Sequence, residues 1–245
     1  MPQLELGDRT MVDVSGYDFI DFGCSSGGSI KFAKKYFKGQ KELGIDLDPK
    51  KVEQTRKAGF EAQVADLTQL NQFTGRVRFS ILSHVLEYMP DATSATQVIR
   101  TAIAISRRFV FIRQPYFDAD GYLASMGLKC YWSDWSGHKN HMNTMQIYQA
   151  IAPAMKAAHV KGFEIYGHKK VISSDSPDVL PIDAPVNQHA YDLEKHGPKQ
   201  DVPLTFPVYR EMIAIVYLNE DPSTRYVQKL FPEAELLLSR VKEAS

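Results

Sequence analysis

A run of seven small residues, Gly23 to Ser29, is the feature that most constrains how this chain can fold. It follows a short apolar stretch, Tyr17–Phe22, whose length suits only a largely buried strand, and it precedes residues with helical apolar spacing. The chain is therefore expected to pass from a strand through a tight loop into a helix. Gly23 and Gly27 are places where the backbone can take positive φ or let a ligand approach without meeting a Cβ atom. Because the first amides of a helix lack partners within it, they would point into the loop and favour a polar ligand there.

Two kinds of cofactor use such a loop. Dinucleotide folds require Gly-x-Gly-x-x-Gly, and Ser25 stands here at the position of the middle glycine, which weakens a nicotinamide or flavin interpretation. The stretch resembles motif I of the class I S-adenosylmethionine-dependent methyltransferases, an acid followed by x-Gly-x-Gly-x-Gly, matched at Asp21, Gly23 and Gly27. The resemblance implies that this loop, with Cys24 and Ser25, binds S-adenosylmethionine.

An acid at the end of the second predicted strand extends the resemblance. Leu43–Ile45 has the pattern of a short buried strand and leads into Asp46-Leu47-Asp48-Pro49. Asp48 as a helix N-cap and Pro49 as the first helical residue need no function, but Asp46 is left without such a role. A carboxylate there can accept hydrogen bonds from ribose hydroxyls. The stretch resembles the post-I motif of the same family, which assigns that role to Asp46 with Leu47 beside it.

A third acid follows the third predicted strand, Phe60–Val64. Asp66 and Leu67 resemble the family's adenine site, where the carboxylate takes the exocyclic amine and the neighbouring backbone takes a ring nitrogen. Asp66 could equally be only a helix cap, because Leu67, Leu70 and Phe73 follow at helical spacing.

The fourth predicted strand, Val77–Leu82, leads into Ser83-His84-Val85-Leu86-Glu87-Tyr88-Met89-Pro90. This segment resembles the part of small-molecule methyltransferases that passes under the methionine moiety of the cofactor, which places Ser83 and His84 in the cofactor site. It lacks the Asn/Asp-Pro-Pro-Tyr/Phe sequence of amino-directed DNA methyltransferases and the Pro-Cys nucleophile of cytosine C5 chemistry. His84 could instead face the substrate or pack in the turn.

Five strands alternating with helices, the fifth at Phe109–Ile112, predict an α/β fold with a parallel, doubly wound sheet and a ligand at the carboxyl edge. The resemblance implies a Rossmann-like sheet of seven strands in the order 3-2-1-4-5-7-6, with strand 7 antiparallel. Strand six is expected at Gly162–Tyr166 and strand seven at Tyr209–Leu218, separated by an insertion over 173–207. A final helix is expected over Arg225–Val241.

A long aromatic segment, residues 113–143, follows the fifth strand and contains both tryptophans. It is expected to form a lid-like loop over the methyl end of the site. A hydroxyl or amine acceptor needs a base, and the candidates are His138 and His141, with Asp134 as an orienting acid and His84 behind them. Either histidine could instead be structural. The spacing of His138 and His141 makes only a weak metal site because no third ligand is evident, so no metal is expected.

The composition narrows the function classes. The 245 residues suit one domain, 1–245, and 29 basic residues balance 29 acidic ones, which disfavours nucleic acid as a partner. No apolar run approaches the ~20 residues of a membrane span. Cys24 and Cys130 form no disulfide or metal pattern, which favours the cytoplasm.

The resemblance therefore implies methyl transfer from S-adenosylmethionine to a small-molecule acceptor, with S-adenosylhomocysteine as product. O-methylation of a sugar, lipid-linked compound or secondary metabolite is favoured. Two alternatives stay open: a nucleic-acid or protein methyltransferase, and a non-catalytic scaffold that binds the cofactor. Ser25, and Ser80 where the family often has an acid, give the scaffold slight support. A homo-oligomer could form through the 173–207 insertion or the C-terminal helix.

Overall fold

A computed structural model describes residues 11–70, 72–157, 160–219 and 229–241. Its strands are β1 Met11–Asp13, β2 Phe19–Phe22, β3 Glu42–Asp46, β4 Ala62–Val64, β5 Gln72–Thr74, β6 Val77–Ser83, β7 Ser106–Pro115, β8 Leu128–Cys130, β9 Gly162–Ser173, β10 Val179–Pro181, β11 Pro203–Tyr217 and β12 Glu235–Val241. Its α-helices are α1 Gly28–Tyr36, α2 Pro49–Lys57, α3 Ala92–Ile105, α4 Asp120–Ser125, α5 Thr144–Lys156 and α6 Leu193–His196. Single 3₁₀ turns lie at Leu86–Tyr88 and Tyr131–Asp134.

The main sheet has eight strands in the order β12-β9-β11-β7-β6-β2-β3-β4. Strands β4, β3, β2, β6 and β7 are parallel, whereas β11 runs antiparallel to both of its neighbours, β7 and β9. The predicted α/β, Rossmann-like class is confirmed, and the seven predicted strands lie in the predicted order with an antiparallel strand 7. Strand β12 adds an eighth member beyond the predicted edge.

The predicted final helix is wrong where the structure describes it. Residues 235–241 form β12, which pairs antiparallel with β9, while residues 225–228 of that prediction lie outside the described residues. A register shift between Leu236 and Leu238 lets three consecutive leucines fit the strand, and Leu237 and Leu238 pack against the core. The free edge of β9 offers hydrogen bonds to the backbone, and this tertiary contact outweighs the local helical pattern.

Two predicted loop and helix assignments are also corrected. The aromatic segment 113–143 is ordered: β7 continues into it, and α4, β8 and a 3₁₀ turn follow. Strand β8 pairs antiparallel with β10 of the insertion, so the insertion is packed against this segment. After Asp66 the chain forms a turn and then β5, instead of the helix considered from the sequence, because β1 offers β5 a parallel partner.

Helices cover both faces of the sheet. The α1 and α2 side contains a cluster in which the rings of Phe19, Phe79 and Phe109 stack across β2, β6 and β7, with centroids 4.9 and 4.8 Å apart. The α3 and α5 side holds the larger cluster, including Val98, Ile99, Ile147 and Ile151. This packing fixes the carboxyl ends of the parallel strands at one edge, where the site lies. No helix within the described ranges is long and apolar enough to cross a bilayer.

Candidate active site

The glycine loop between β2 and α1 adopts a conformation that glycine makes possible. Gly23 has φ +77°, and a Cβ atom there would lie 2.4 Å from Val85 Cγ2. Gly27 has φ +88°. Ser25, at the position of the middle glycine, also takes a left-handed φ of 46°, so the loop keeps its conformation at some cost in strain. The Ser25 amide donates to Asp46 Oδ2 at 2.8 Å, which ties the loop to the end of β3.

Asp21 lies behind this loop and is fully buried. Burial raises the pKa of its carboxyl to about 7, and the negative charge of Asp46 adds to the increase while a hydrogen bond from Ser29 opposes it. The Ser29 hydroxyl donates to Asp21 Oδ2 at 2.5 Å, and Asp21 Oδ1 has no hydrogen-bond partner. Asp21 therefore shapes the loop from below, and Ser29 is the residue of this pair that lines the cavity.

A cavity of about 920 Å³ opens along the carboxyl ends of β2, β3, β4 and β6. Nine of the eleven predicted cofactor residues line it, and Asp21 and Gly27 are the exceptions. The nine are Gly23, Cys24, Ser25, Asp46, Leu47, Asp66, Leu67, Ser83 and His84. The structure thus brings together residues that lie as far apart in the sequence as Gly23 and His84.

Asp46 ends β3 and Asp66 follows β4, and each can accept further hydrogen bonds from a ligand. Asp46 accepts from the amides of Ser25 and Asp48, at 2.8 and 3.0 Å, and a carboxylate can accept about four hydrogen bonds. Asp66 Oδ1 accepts from the amide and hydroxyl of Thr68, at 2.9 and 2.8 Å. Leu47, which follows Asp46 and lines the same cavity, is 65% exposed. Two carboxylates and an exposed apolar side chain beside a glycine loop fit a nucleoside with a polar tail.

Cys24 contributes to this cavity without reactive chemistry. Its thiol is buried beside the Thr55 hydroxyl, and a Cβ atom on Gly44 would lie 2.7 Å from its sulfur. Burial, followed by the charges of Asp21 and Asp46, raises the pKa of the thiol to about 12. The thiol is therefore protonated at neutral pH and acts as a packing group.

A second cavity, of about 350 Å³, adjoins the first. His84 and Tyr88 line both cavities. The walls of the second cavity are largely aromatic, and its remaining lining residues are Glu87, Pro115, Tyr131, Trp132, Trp135, His138, Lys169, His189, Arg210 and Glu211. We call the first the cofactor cavity and the second the acceptor cavity.

The predicted catalytic residues are separated by the structure. His138 lines the acceptor cavity, where its Nδ1 lies 2.8 Å from the Trp132 carbonyl and its ring packs against the edge of Tyr88. Burial lowers the pKa of His138, and the hydrogen bond to the Trp132 carbonyl opposes this change. His141 lies outside the cavity lining, stacked on Phe117.

Asp134 does not orient either histidine. Its carboxylate pairs with Lys129 at 2.5 Å and lines a separate cavity beside α4 and β8. The acid nearest to His141 is Asp120, with 3.4 Å between Oδ2 and Nδ1. Within the described part of the chain, no three His, Cys, Asp or Glu side chains converge as a group that could hold a metal ion.

Two glutamates that sequence reasoning missed flank His84. Glu87 is buried and its Oε1 lies 3.2 Å from His84 Nδ1, while Glu211 Oε1 lies 3.8 Å from His84 Nε2. Although burial alone would raise the pKa of Glu211, hydrogen bonds from Arg113 and His168 and the charge of Arg113 lower it to about 2. Glu87 could have been found from its position in the segment after β6. Glu211 carried no local signal, because its contact with His84 depends on β11 lying beside β7 in the sheet.

Comparison with known proteins agrees with this geometry. A family model described as a methyltransferase domain matches residues 20–106. A search of curated proteins found no match. Similar solved structures include a SAM-dependent methyltransferase from Archaeoglobus fulgidus, at 12% identity over 85% of this chain and 87% of that chain, with a TM-score of 0.50.

Two further structures have a TM-score of 0.53. One is a complex of the Haloferax volcanii Trm112 methyltransferase activator with a methyltransferase, at 11% identity over 84% of this chain and 83% of that chain. The other is the small RNA methyltransferase HEN1, at 15% identity over 94% of this chain and 25% of that chain. At these identities the similarity shows a shared fold.

The doubly wound sheet, with its glycine loop and acids at the carboxyl edge, defines a Rossmann-like ligand-binding domain. The family match narrows this class further: residues 20–106 match the model of a methyltransferase domain, which supports a class I S-adenosylmethionine-dependent methyltransferase. The predicted family, enzyme class and S-adenosylmethionine cofactor are thereby confirmed.

Proposed function

We propose that this enzyme methylates a small molecule, with O-methylation favoured. The observation that carries the proposal is the pair of adjoining cavities that share His84 and Tyr88. One cavity has the lining expected for the cofactor. Seven of the twelve residues that line the other carry aromatic rings, its three histidines included. A volume of about 350 Å³ lies at the lower end of the range for small-molecule sites.

In this proposal each wall of the cofactor cavity has a role. Asp46 accepts hydrogen bonds from the ribose hydroxyls, and Asp66 takes the exocyclic amine of adenine between Leu47 and Leu67. The loop of Gly23, Cys24 and Ser25 surrounds the polar tail, with Ser83 and His84 opposite. Asp21 and Gly27 hold the loop from behind.

The acceptor cavity positions the nucleophile. S-adenosylmethionine, when bound, supplies an already activated methyl group, so alignment of the acceptor contributes much of the acceleration. The rings of Trp135 and His189, with centroids 4.4 Å apart, offer a face on which a sugar or aromatic ring can stack. A hydroxyl acceptor must also lose its proton. Three histidines line this cavity, and besides His189, whose ring belongs to the stacking face, His138 and His84 are the candidates to accept that proton, both of them considered from the sequence.

A homo-oligomeric assembly through the insertion belongs to the same proposal. Large apolar side chains are exposed there, including Ile182, Val186 and Leu193. The C-terminal element that could take part in such a contact is strand β12.

The cofactor roles can be tested by calorimetry on wild type, Asp46→Ala and Glu53→Ala. We expect S-adenosylmethionine and S-adenosylhomocysteine to bind wild type and to lose roughly 10- to 100-fold in affinity in Asp46→Ala, because hydrogen bonds to a charged group are lost. Glu53 lies exposed on α2, beside Lys57 and away from the cavity, so Glu53→Ala removes the same charge and should bind like wild type. An equal loss in both variants would contradict the role of Asp46.

The acceptor class is then tested by S-adenosylhomocysteine release with a panel of small alcohols, phenols, sugars and amines, alongside an RNA oligonucleotide and a peptide. Turnover confined to small hydroxyl compounds is the expected result. Turnover only with RNA or peptide would replace the small-molecule proposal. Cofactor binding without turnover of any panel member would favour a scaffold protein.

A further inference from the structure

His84 occupies the junction of the two cavities, and the backbone holds it there. Its amide donates to the Arg113 carbonyl at 2.7 Å, and its φ of 55° is unusual for a residue with a side chain. The side chain is 41% exposed. An exposed imidazole at the meeting point of a cofactor cavity and an acceptor cavity is placed where a proton would be released.

Glu87 stands behind this imidazole. Its side chain is 1% exposed, its Oε1 lies 3.2 Å from His84 Nδ1, and its Oε2 has no hydrogen-bond partner. A carboxylate can only accept, so Nδ1 must carry the hydrogen of this bond, and Nε2 is left as the nitrogen that can take a proton. Because the site of Glu87 is shielded from water, the bond is stronger than it would be in solution.

Glu211 lies on the other side of the ring, with its Oε1 3.8 Å from Nε2. Arg113 and His168 hold it in place at 2.5 and 3.0 Å. A carboxylate therefore faces Nε2, the nitrogen of His84 that can take a proton. His84 is thus flanked by carboxylates at both nitrogens.

His138 differs from His84 in the groups that surround its ring. Its ring packs against the edges of Tyr88 and Phe117, and the partner of its Nδ1 is a backbone carbonyl. Neither of its nitrogens has a carboxylate within ion-pair distance among the described residues. These contacts indicate that His138 forms part of the wall of the acceptor cavity.

We propose that His84 is the catalytic base of the methyl transfer and that Glu87 is its positioning residue. This inference rests on the proposed function. The O–H bond of the acceptor breaks and its proton forms an N–H bond on His84 Nε2. The oxygen uses the released electron pair to bond the methyl carbon as that carbon leaves sulfur, so the products are the methyl ether, a neutral thioether and an imidazolium. The proton later passes to solvent through the exposed side of the ring.

The first test reads the tautomer of His84 and needs no acceptor. Protein labelled with ¹⁵N-histidine is examined at pH 8 by two-bond ¹H–¹⁵N correlation NMR, and the His84 signals are assigned by their loss in His84→Gln. We expect the proton on Nδ1, the minor form of free histidine, and a change toward the Nε2–H form in Glu87→Leu. A proton on Nε2 in the wild type would overturn the proposal, as would an unchanged tautomer in Glu87→Leu.

The second test compares His84→Gln with His138→Gln, using phenol and 4-nitrophenol as acceptors. With phenol, His84→Gln should lose roughly 10²- to 10⁴-fold in kcat, the usual contribution of a general base, and His138→Gln much less. With 4-nitrophenol, which is largely ionised at pH 8, the loss in His84→Gln should nearly vanish because no proton remains to be removed. Affinity for S-adenosylhomocysteine should stay within about threefold of wild type in His138→Gln. Because His84 also lines the cofactor cavity, kcat of His84→Gln is measured at saturating S-adenosylmethionine.

The opposite ranking of the two variants, or an equal loss with both phenols, would overturn the assignment. Failure of the proposed function is recognised separately. In that case wild type does not bind the cofactor, or turns over no small acceptor, while the tautomer measurement still decides whether His84 and Glu87 form the pair described here.

Discussion

The cofactor side and the acceptor side of this site are built in different ways. Each wall of the cofactor cavity comes from a short segment at the end of one parallel strand, and all of them lie between residues 23 and 90. The acceptor cavity combines residues from 84 to 211, carried by β7, the 3₁₀ turn at Tyr131–Asp134, β9, the insertion and β11. A site made of local segments leaves a pattern in the sequence, whereas one made by long-range packing does not.

The same substitution on the two sides should therefore have very different effects. In Gly23→Ala the new Cβ would lie 2.4 Å from Val85 Cγ2, at a φ of +77° that alanine tolerates poorly. We expect a loss of at least about 3 kcal/mol in the free energy of unfolding, together with loss of cofactor binding. Denaturant unfolding and calorimetry measure the two effects.

Gly137→Ala is the matched variant on the acceptor side. The nearest atom to its Cβ is the end of the Tyr88 ring, at 3.0 Å, and its φ is not in the left-handed region. Tyr88 can move aside, so we expect a cost below about 1 kcal/mol and unchanged cofactor binding. Equal losses for the two variants would show that the glycine loop is no more constrained than the acceptor segment.

The buried acid under the glycine loop gives the next largest effect. Because the pKa of Asp21 is raised from its ordinary value of 3.8 to about 7 in the folded state, the folded state holds a proton that the unfolded state has released between these pH values. Its contribution to stability is complete below about pH 4 and is lost as pH rises through about 7. From pH 5 to pH 8 the wild type should thus lose roughly 2–3 kcal/mol through this group.

Asp21→Asn removes that titration while keeping the shape of the side chain. The unfolding free energy of Asp21→Asn relative to wild type should rise from pH 5 to pH 8 by the same amount. Denaturant unfolding of both proteins at the two pH values measures this difference in unfolding free energy. The contributions of the other titratable groups are the same in both proteins and cancel. Parallel pH dependence of the two proteins would mean that Asp21 is ionised across this range.

The contrast between local segments and long-range packing also explains which features of the fold and of the site could be predicted from the sequence. The order of the parallel strands, the glycine loop and the positions of Asp46 and Asp66 follow from strand ends and turn residues, which are local. The final helix was wrong because the edge of β9 determines the structure of residues 235–241. Asp134 does not orient a histidine, because its carboxylate pairs with Lys129, five residues earlier on β8. Glu211 could not be found, since its role depends on which strand lies beside β7.

The smallest expected effect is that of replacing a residue with left-handed backbone conformation by glycine. This replacement tests whether backbone strain is confined to the cofactor side. Ser25, with φ 46°, lines the cofactor cavity, and Lys169, with φ 60°, lines the acceptor cavity. Changing either to glycine removes about 1 kcal/mol of strain, partly offset by the greater entropy of glycine in the unfolded chain, so a gain of about 0.5 kcal/mol is expected at each site. Ser25→Gly restores the middle glycine of the motif and should also keep full affinity for S-adenosylmethionine. A gain at Lys169 with a loss at Ser25 would mean that the serine side chain itself stabilises the loop, and the departure from the family motif would then be a functional feature of this chain.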